Sequence, residues 1–120
     1  MIHTTTDEGF DLILKVHNVA PFRIIREAAP HFRSKDPEQR KANRSIVNVS
    51  SIAGLHGNVG QINYATAKAG VVGMTKTIAK EWGAFGVSLS SILIYTKTHL
   101  SIGPREHCCF RIRRNSLDAG

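Results

Sequence analysis

The sequence predicts an α/β fold in which a parallel sheet is flanked by long helices. Three stretches carry this prediction: helical spacing of apolar residues over residues 7–32, a β-branched run at residues 46–49, and a second helical stretch over residues 63–82. A helix–strand–helix order is one part of a repeating βαβ arrangement, which builds a parallel sheet. At 120 residues the chain has room for one domain of ordinary size.

The first predicted element is one long, bent helix over residues 7–32. Thr6 can cap its start, and the acidic residues Asp7 and Glu8 suit the positive end of the helix dipole. Pro21 interrupts the pattern and is expected to kink the helix or to begin a new turn. Apolar residues recur at helical spacing on both sides of it: Phe10, Ile13, Leu14, Val16, Phe22, Ile25 and Ala29.

A central strand lies between two predicted loops. Residues 33–44 are polar and contain Pro37, which is typical of a surface loop. Residues 46–49 form a short apolar run bounded by polar residues, as in a buried parallel strand. Residues 50–61 contain Gly54, Gly57 and Gly60, and we predict a loop of the kind that carries active-site residues.

The second long helix is predicted from about residue 63 to Trp82, and either Gly83 or Gly86 can end it. Residues 87–95 are the remaining strand candidate, because their apolar residues alternate in part. Small residues on the helix permit close packing against another helix: Ala65, Ala67, Ala69, Gly70 and Gly73.

The chain is basic, with 16 Lys and Arg against 9 Asp and Glu, which gives a formal net charge of +7. Clustered basic residues suit nucleic-acid phosphates, but they also occur in solvated loops and tails. The second interpretation is favoured, since no nucleic-acid motif or aromatic interleaving accompanies the charge. The two clusters are Arg33, Lys35, Arg40, Lys41 and Arg44 in the first loop, and Arg111, Arg113 and Arg114 near the end.

The cysteines and the hydropathy pattern indicate the cellular compartment in which the protein is found. Cys108 and Cys109 are adjacent, which leaves neither a disulfide framework nor a zinc-ligand spacing. No apolar run approaches the roughly 20 residues that a membrane span needs. The first residues form neither a secretory signal nor an Arg-rich transit peptide. We therefore expect a soluble intracellular protein, in the cytoplasm or the mitochondrial matrix.

Ser51, Tyr64 and Lys68 are the candidate catalytic residues. Tyr64 and Lys68 are four residues apart on a predicted helix and so lie on one face, one turn apart. An ammonium group there stabilises a phenolate by charge attraction, which suits tyrosine to acid–base work. Ser51, thirteen residues before Tyr64, can bond a substrate carbonyl while Tyr64 protonates it. The hydride must come from a nicotinamide cofactor.

A Tyr-x-x-x-Lys pair alone is commonly a surface pair, but its surroundings resemble a known family. Residues 45–86, with Asn-Val-Ser-Ser before a glycine loop and Asn-Tyr-Ala-Thr-Ala-Lys-Ala-Gly after it, resemble the active-site segment of the short-chain dehydrogenase/reductase family. Residues 57–64 are especially similar to 3-oxoacyl-acyl-carrier-protein reductases. The resemblance implies part of a Rossmann-like, doubly wound parallel sheet, with two long helices flanking a central strand.

The resemblance also implies an activity and roles for single residues. The activity is the NAD- or NADP-dependent interconversion of a ketone, such as a 3-oxoacyl thioester, and a secondary alcohol. Ser51 polarises the carbonyl, Tyr64 is the general acid/base, and Tyr64 and Lys68 bind the cofactor at its nicotinamide ribose.

Two departures from the family pattern stand out. Many members place an asparagine five residues before the phenylalanine of the first helix; counting back from Phe22, that position holds His17, with Asn18 one step off. His17 is therefore either a substitute hydrogen-bonding group or a partly buried structural histidine. The glycine-rich phosphate-binding turn is missing, since Gly9 stands alone without a preceding strand. The chain looks truncated at its N-terminus, so its activity is expected to be impaired.

The resemblance also suggests a boundary and partners. We expect residues 1–87 to form the central, catalytic part of a short-chain dehydrogenase-like domain, and residues 88–120 to form a divergent, poorly ordered basic tail. The family's two long helices pair with their counterparts in other subunits, which implies a homo-oligomer or association with full-length relatives. The alternative function is thus a non-catalytic short product that associates with full-length subunits through its two long helices.

Overall fold

Two parallel strands and two long helical stretches make up most of the computed structural model, which describes residues 1–38, 44–94 and the backbone of residues 109–112. The helices are α1 (Asp7–Leu14), α2 (Ala20–Phe32), α3 (Ala53–His56) and α4 (Ile62–Trp82), and a π-helical segment, Lys15–Val19, joins α1 to α2. Short 3-10 turns lie at Ile2–Thr4 and Gly83–Phe85. The strands are β1 (Arg44–Ser51), β2 (Val87–Ile94) and β3 (Cys109–Ile112).

The first long helix is continuous from Asp7 to Phe32, as predicted, and Thr6 caps it by accepting a hydrogen bond from the Gly9 amide at 3.1 Å. The interruption expected near Pro21 takes the form of the π-helical segment, in which the Ala20 amide bonds to the Lys15 carbonyl five residues back. Pro21 follows at once and has no N–H to donate. The wider π turn accommodates this missing donor just before the α-helix resumes.

The sheet has the order β1-β2-β3, with β1 and β2 parallel and β3 antiparallel to β2. Arg44 pairs with Val87 at one end of the parallel register and Ser51 with Ile94 at the other. The predicted α/β class is therefore confirmed. The central strand is longer than predicted, by two residues at each end, because the polar residues that flank it also join the ladder.

The expected start of the tail at residue 88 needs correction, since β2 continues the sheet to Ile94. Val87, Leu89 and Ser91 are buried, so the partial alternation in the sequence marks a strand with one face against the core. The backbone of Cys109–Ile112 also pairs with β2. The rest of the expected tail, Tyr95 included, lies outside the described residues.

The hydrophobic core fills the space between the helices and one face of the sheet. Ile25 of α2, Trp82 of α4, and Val87 and Leu89 of β2 form the buried cluster, and the ring of Phe32 stacks on Trp82 with centroids 6.0 Å apart. On the opposite sheet face, apolar side chains are between 39% and 52% exposed: Val47, Val49, Ile92 and Ile94. Helices thus cover one sheet face in the described part of the chain.

Arg44, which the sequence placed in the basic loop cluster, forms hydrogen bonds within the fold. Its guanidinium donates to the His31 carbonyl at 2.7 Å and to the Phe85 carbonyl at 3.0 Å. The first is a carbonyl of the last turn of α2, where the helix dipole favours a cation. Arg44 therefore ties the end of α2 to the turn before β2. In the described ranges, the helices lack the length and apolar character to cross a membrane.

Candidate active site

Helix α4 presents Tyr64 and Lys68 on the same face, one turn apart. The Lys68 ammonium nitrogen lies 5.5 Å from the centroid of the Tyr64 ring. Tyr64 is in the first turn of the helix, where the side-chain oxygen of Asn63 accepts a hydrogen bond from the Tyr64 amide at 2.8 Å. This local bond satisfies one of the amides that the start of a helix leaves without a helical partner.

Lys68 is unusually buried for a lysine, with 8% of its surface exposed. Its Nζ donates to the carbonyl oxygen of Val49 in β1 at 2.9 Å. Burial lowers the pKa of Lys68, since the charged form loses solvation. An ammonium group has three N–H donors, so two remain beside the Val49 contact. The strand thus holds a partly desolvated cation next to the phenol ring.

Ser51 is the last residue of β1 and is 9% exposed. Its Oγ accepts a hydrogen bond from the Ala53 amide at 3.2 Å, so the hydroxyl is fixed from its acceptor side. Its donor contact, to the Ile94 carbonyl, is 3.5 Å long, at the outer limit for such a bond. The hydroxyl hydrogen is therefore weakly held and can turn to another acceptor.

The end of β1 is fastened to α4 at Lys68, through two residues that flank the Ser51 position. Ser50 donates from Oγ to the Lys68 carbonyl at 2.8 Å. Gly54 packs so closely that a Cβ there would lie 2.6 Å from the Lys68 carbonyl carbon. These contacts set the placement of Ser51 relative to Lys68. Ser50 was not among the predicted site residues, although alternation along a strand makes one serine of the pair face the helix.

His17 of the π-helical segment completes the cluster. Its ring meets the Tyr64 ring edge-on, with centroids 5.5 Å apart and planes at 86°. Burial lowers the pKa of His17, and the positive charge of Lys68 lowers it further. Both effects favour the neutral imidazole. The neighbouring Asn18 also contacts α4, donating to the Ala67 carbonyl at 2.9 Å.

The structure thus places two predicted residues, His17 and Lys68, beside the ring of a third, Tyr64, and it links Ser51 to Lys68 through Ser50 and Gly54. Over residues 1–38 and 44–94, no three His, Cys, Asp or Glu side chains are grouped closely enough to hold a metal ion.

Residues 1–106 match the family model for short chain dehydrogenases. The chain belongs to the short-chain dehydrogenase family. It is 38% identical over 103 residues to hydroxyacyl-CoA dehydrogenase ChsB1 of Mycobacterium tuberculosis, which covers 84% of this chain and 32% of the relative. It is also 38% identical over 86 residues to 3-oxoacyl-acyl-carrier-protein reductase FabG of Thermotoga maritima, covering 72% and 32% respectively. The chain spans about a third of the length of these relatives.

Two solved dehydrogenase structures have a similar fold. A short chain dehydrogenase from Mycobacterium avium matches with a TM-score of 0.71 at 36% identity, over 88% of this chain and 37% of that one. 4-Hydroxyisoleucine dehydrogenase, solved with NADH and succinate, matches with a TM-score of 0.65 at 29% identity, over 75% and 40%. The Rossmann-like prediction is therefore confirmed, and one of these similar structures contains NADH.

The described residues suit one end of such a cofactor. The free donors of Lys68 and the hydroxyl of Tyr64 are of the right chemistry for the hydroxyls of the nicotinamide ribose. The pyrophosphate normally lies on a glycine-rich turn between a strand and a helix. In the described ranges no strand leads into such a turn, and Gly9 lies within the first turn of α1. The residues present therefore fit the nicotinamide end of the cofactor.

Proposed function

We propose that Ser51, Tyr64 and Lys68 perform the proton-transfer part of a nicotinamide-dependent interconversion of a ketone and a secondary alcohol. The observation that carries the proposal is the buried Lys68 ammonium, held by the Val49 carbonyl at 2.9 Å and lying beside the Tyr64 ring. A lysine is rarely buried without a charged partner unless its charge has a use.

Each residue has one step in this reaction. Ser51 donates its weakly held hydroxyl hydrogen to the substrate carbonyl oxygen, which polarises the bond. Tyr64 then transfers its proton to that oxygen, and the charge of Lys68 stabilises the phenolate that remains. Reduced NAD or NADP, held at its ribose by Tyr64 and Lys68, would supply the hydride that the carbonyl carbon takes up. In the reverse direction the tyrosine accepts the alcohol proton.

The proposed substrate is a 3-oxoacyl thioester or the corresponding 3-hydroxyacyl thioester. The support is the naming of the relatives, one a hydroxyacyl-CoA dehydrogenase and the other a 3-oxoacyl-acyl-carrier-protein reductase. We further propose an intracellular location, and a homo-oligomer as the working form.

Calorimetric titration with two ligands tests the proposal. Because the fitting residues meet only the nicotinamide ribose, reduced nicotinamide mononucleotide and NADPH should bind the chain with similar affinity. Lys68→Met should abolish the binding of both ligands. Lys76→Met, on the exposed side of the same helix, is the matched control and should leave binding unchanged. Failure of both ligands to bind, or unchanged binding by Lys68→Met, would overturn the proposal. Where binding is seen, loss of acetoacetyl-CoA reduction in Tyr64→Phe completes the test.

A second candidate function, association without catalysis, rests on the surface of the first long helix. Its outer side exposes Leu12 (59%), Val16 (52%) and Ile24 (70%). Several exposed apolar side chains on one helix indicate an interaction surface, whereas a single one would need no explanation. We propose that this surface, with the exposed small residues Ala69 and Gly73 of α4, pairs with helices of full-length subunits. Co-purification with a tagged full-length relative, weakened by Val16→Asp and not by Leu55→Asp, supports this function. A strictly monomeric or unfolded chain excludes it.

A further inference from the structure

Asn18 crosses from the first long helix to α4 and bonds at a single point. Its Nδ2 donates to the carbonyl oxygen of Ala67, which is fully buried, at 2.9 Å. A carbonyl oxygen only accepts, so this bond fixes which end of the Asn18 amide faces α4. Ala67 lies directly before Lys68, and three residues after Tyr64. The bond therefore reaches the helix between the two predicted catalytic positions.

Gly70 provides the space that this contact needs. A Cβ at Gly70 would lie 2.5 Å from Nδ2 of Asn18 and 3.3 Å from its Cγ. Any other residue at position 70 would push the amide off the Ala67 carbonyl. Gly73, one turn further along the same helix, has nothing within 4 Å of the equivalent position. Gly70 thus leaves room for the Asn18 side chain, whereas Gly73 has no such neighbour.

The π-helical segment makes two successive residues face α4. Because a π turn contains more residues than an α turn, neighbouring side chains diverge less around the axis. His17 places its ring against Tyr64, and Asn18 places its amide against Ala67, one turn further on. The two contacts lie on consecutive residues, so one short piece of backbone carries both of them.

We propose that Asn18, seated over Gly70 and bonded to Ala67, is a positioning residue that holds His17 edge-on against Tyr64. The catalytic meaning of this placement rests on the proposed function of Tyr64, while the placement itself does not. The Oδ1 atom of Asn18 is buried without a hydrogen-bond partner in the described part of the chain. That unpaired acceptor opposes the stabilisation from the Nδ2 bond, so the contact contributes more to geometry than to stability.

Nuclear Overhauser effects between the ring protons of His17 and Tyr64 report this placement without any need for activity. The unsubstituted chain should show the cross-peak. Asn18→Ala should lose it while changing the thermal midpoint little, because a bond and an unpaired acceptor disappear together. Gly70→Ala should lose it too, and Gly73→Ala should keep it.

A double-mutant cycle on the thermal midpoint gives a second readout. When Asn18 is present, Gly70→Ala should raise the thermal midpoint less than Gly73→Ala does. In the Asn18→Ala background, the two glycine substitutions should raise the midpoint equally. Equal effects of Gly70→Ala in both backgrounds, a cross-peak that persists in Asn18→Ala, or its absence from the unsubstituted chain would each overturn the inference. Failure of cofactor binding would leave these outcomes unchanged and would count against the proposed function alone.

Discussion

The Ser50 hydroxyl donates to the carbonyl oxygen of Lys68 at 2.8 Å, and Ser50 is 1% exposed. The same lysine is thus held at both ends by β1, through its backbone carbonyl to Ser50 and through its ammonium to Val49. The position of the cation beside Tyr64 is therefore determined by the strand as much as by the helix.

Ser50→Ala should lower the free energy of unfolding by about 1 kcal/mol, the usual net value of one buried hydrogen bond. Chemical denaturation measures this loss. Ser45→Ala, at an exposed position of the same strand, is the matched control and should change it by less than about 0.5 kcal/mol. Equal effects of the two substitutions would show that the Ser50 bond contributes nothing.

Gly54→Ala should destabilise the fold by overpacking. The added methyl would lie 2.6 Å from the Lys68 carbonyl carbon and 2.7 Å from the Ala69 amide nitrogen, and both are backbone atoms of a helix that cannot rotate away. Overpacking of this kind costs about 1–3 kcal/mol. Gly73→Ala, where the methyl meets open space, should instead stabilise by about 0.5–1 kcal/mol. Thermal unfolding of the two variants should give shifts of opposite sign, and shifts of one sign would contradict the packing described.

The stability of the fold should depend on pH through His17. Burial, and then the charge of Lys68, lower its pKa below the usual 6.5, so the unfolded chain binds this proton more readily than the folded chain does. The contribution is fully present above about pH 6.5 and is lost as the pH falls through the lowered pKa of the folded state. His17→Gln should remove this part of the decline in unfolding free energy between pH 7.5 and pH 5. His56→Gln, at an exposed position, should keep it. A decline that is the same in all three chains would rule His17 out as its source.

Arg44→Lys should lose one of the two carbonyl contacts that join α2 to the turn before β2. A guanidinium reaches the His31 and Phe85 carbonyls together from different nitrogens, whereas an ammonium is a single point charge. We expect a loss of about 1.5–3 kcal/mol, consistent with one hydrogen bond from a charged donor. Arg23→Lys, on the exposed side of α2, is the control by urea denaturation. A loss as large in the control would mean that any exchange of Arg for Lys has this effect, and that the two carbonyl contacts of Arg44 do not account for it.

The sequence predicted the elements well where one periodicity dominates. Residues 7–32 and about 63–82 carry a long helical pattern, and both helices were found within a residue or two of the predicted bounds. The π-helical segment was not predicted, because Pro21 announces a disturbance of the helix without specifying its form. β2 was predicted less clearly, because Ser88, Ser90 and Ser91 interrupt the alternation of apolar residues in the sequence. The alternation is plain in the burial of the side chains.

The site was predicted in part. Tyr64 and Lys68 share a helix, so their spacing alone placed them together. Ser50, Gly54 and Asn18 act through contacts between elements, with sequence separations of 14 to 49 residues, and local patterns carry no information at that range. The buried state of Lys68 was unforeseen for the same reason: it depends on the carbonyl of Val49 on another element.

The exposed sheet face at Val47, Val49, Ile92 and Ile94 has a practical consequence. Parallel sheets nearly always have both faces covered, and β1 also lies at the edge of the described sheet with one side of its backbone unpaired. In the described part of the chain, these apolar side chains and this edge are open to contact with a second molecule. Self-association should therefore rise steeply with concentration, and dilute samples, or a covering polypeptide supplied during synthesis, are the conditions under which its chemistry can be examined.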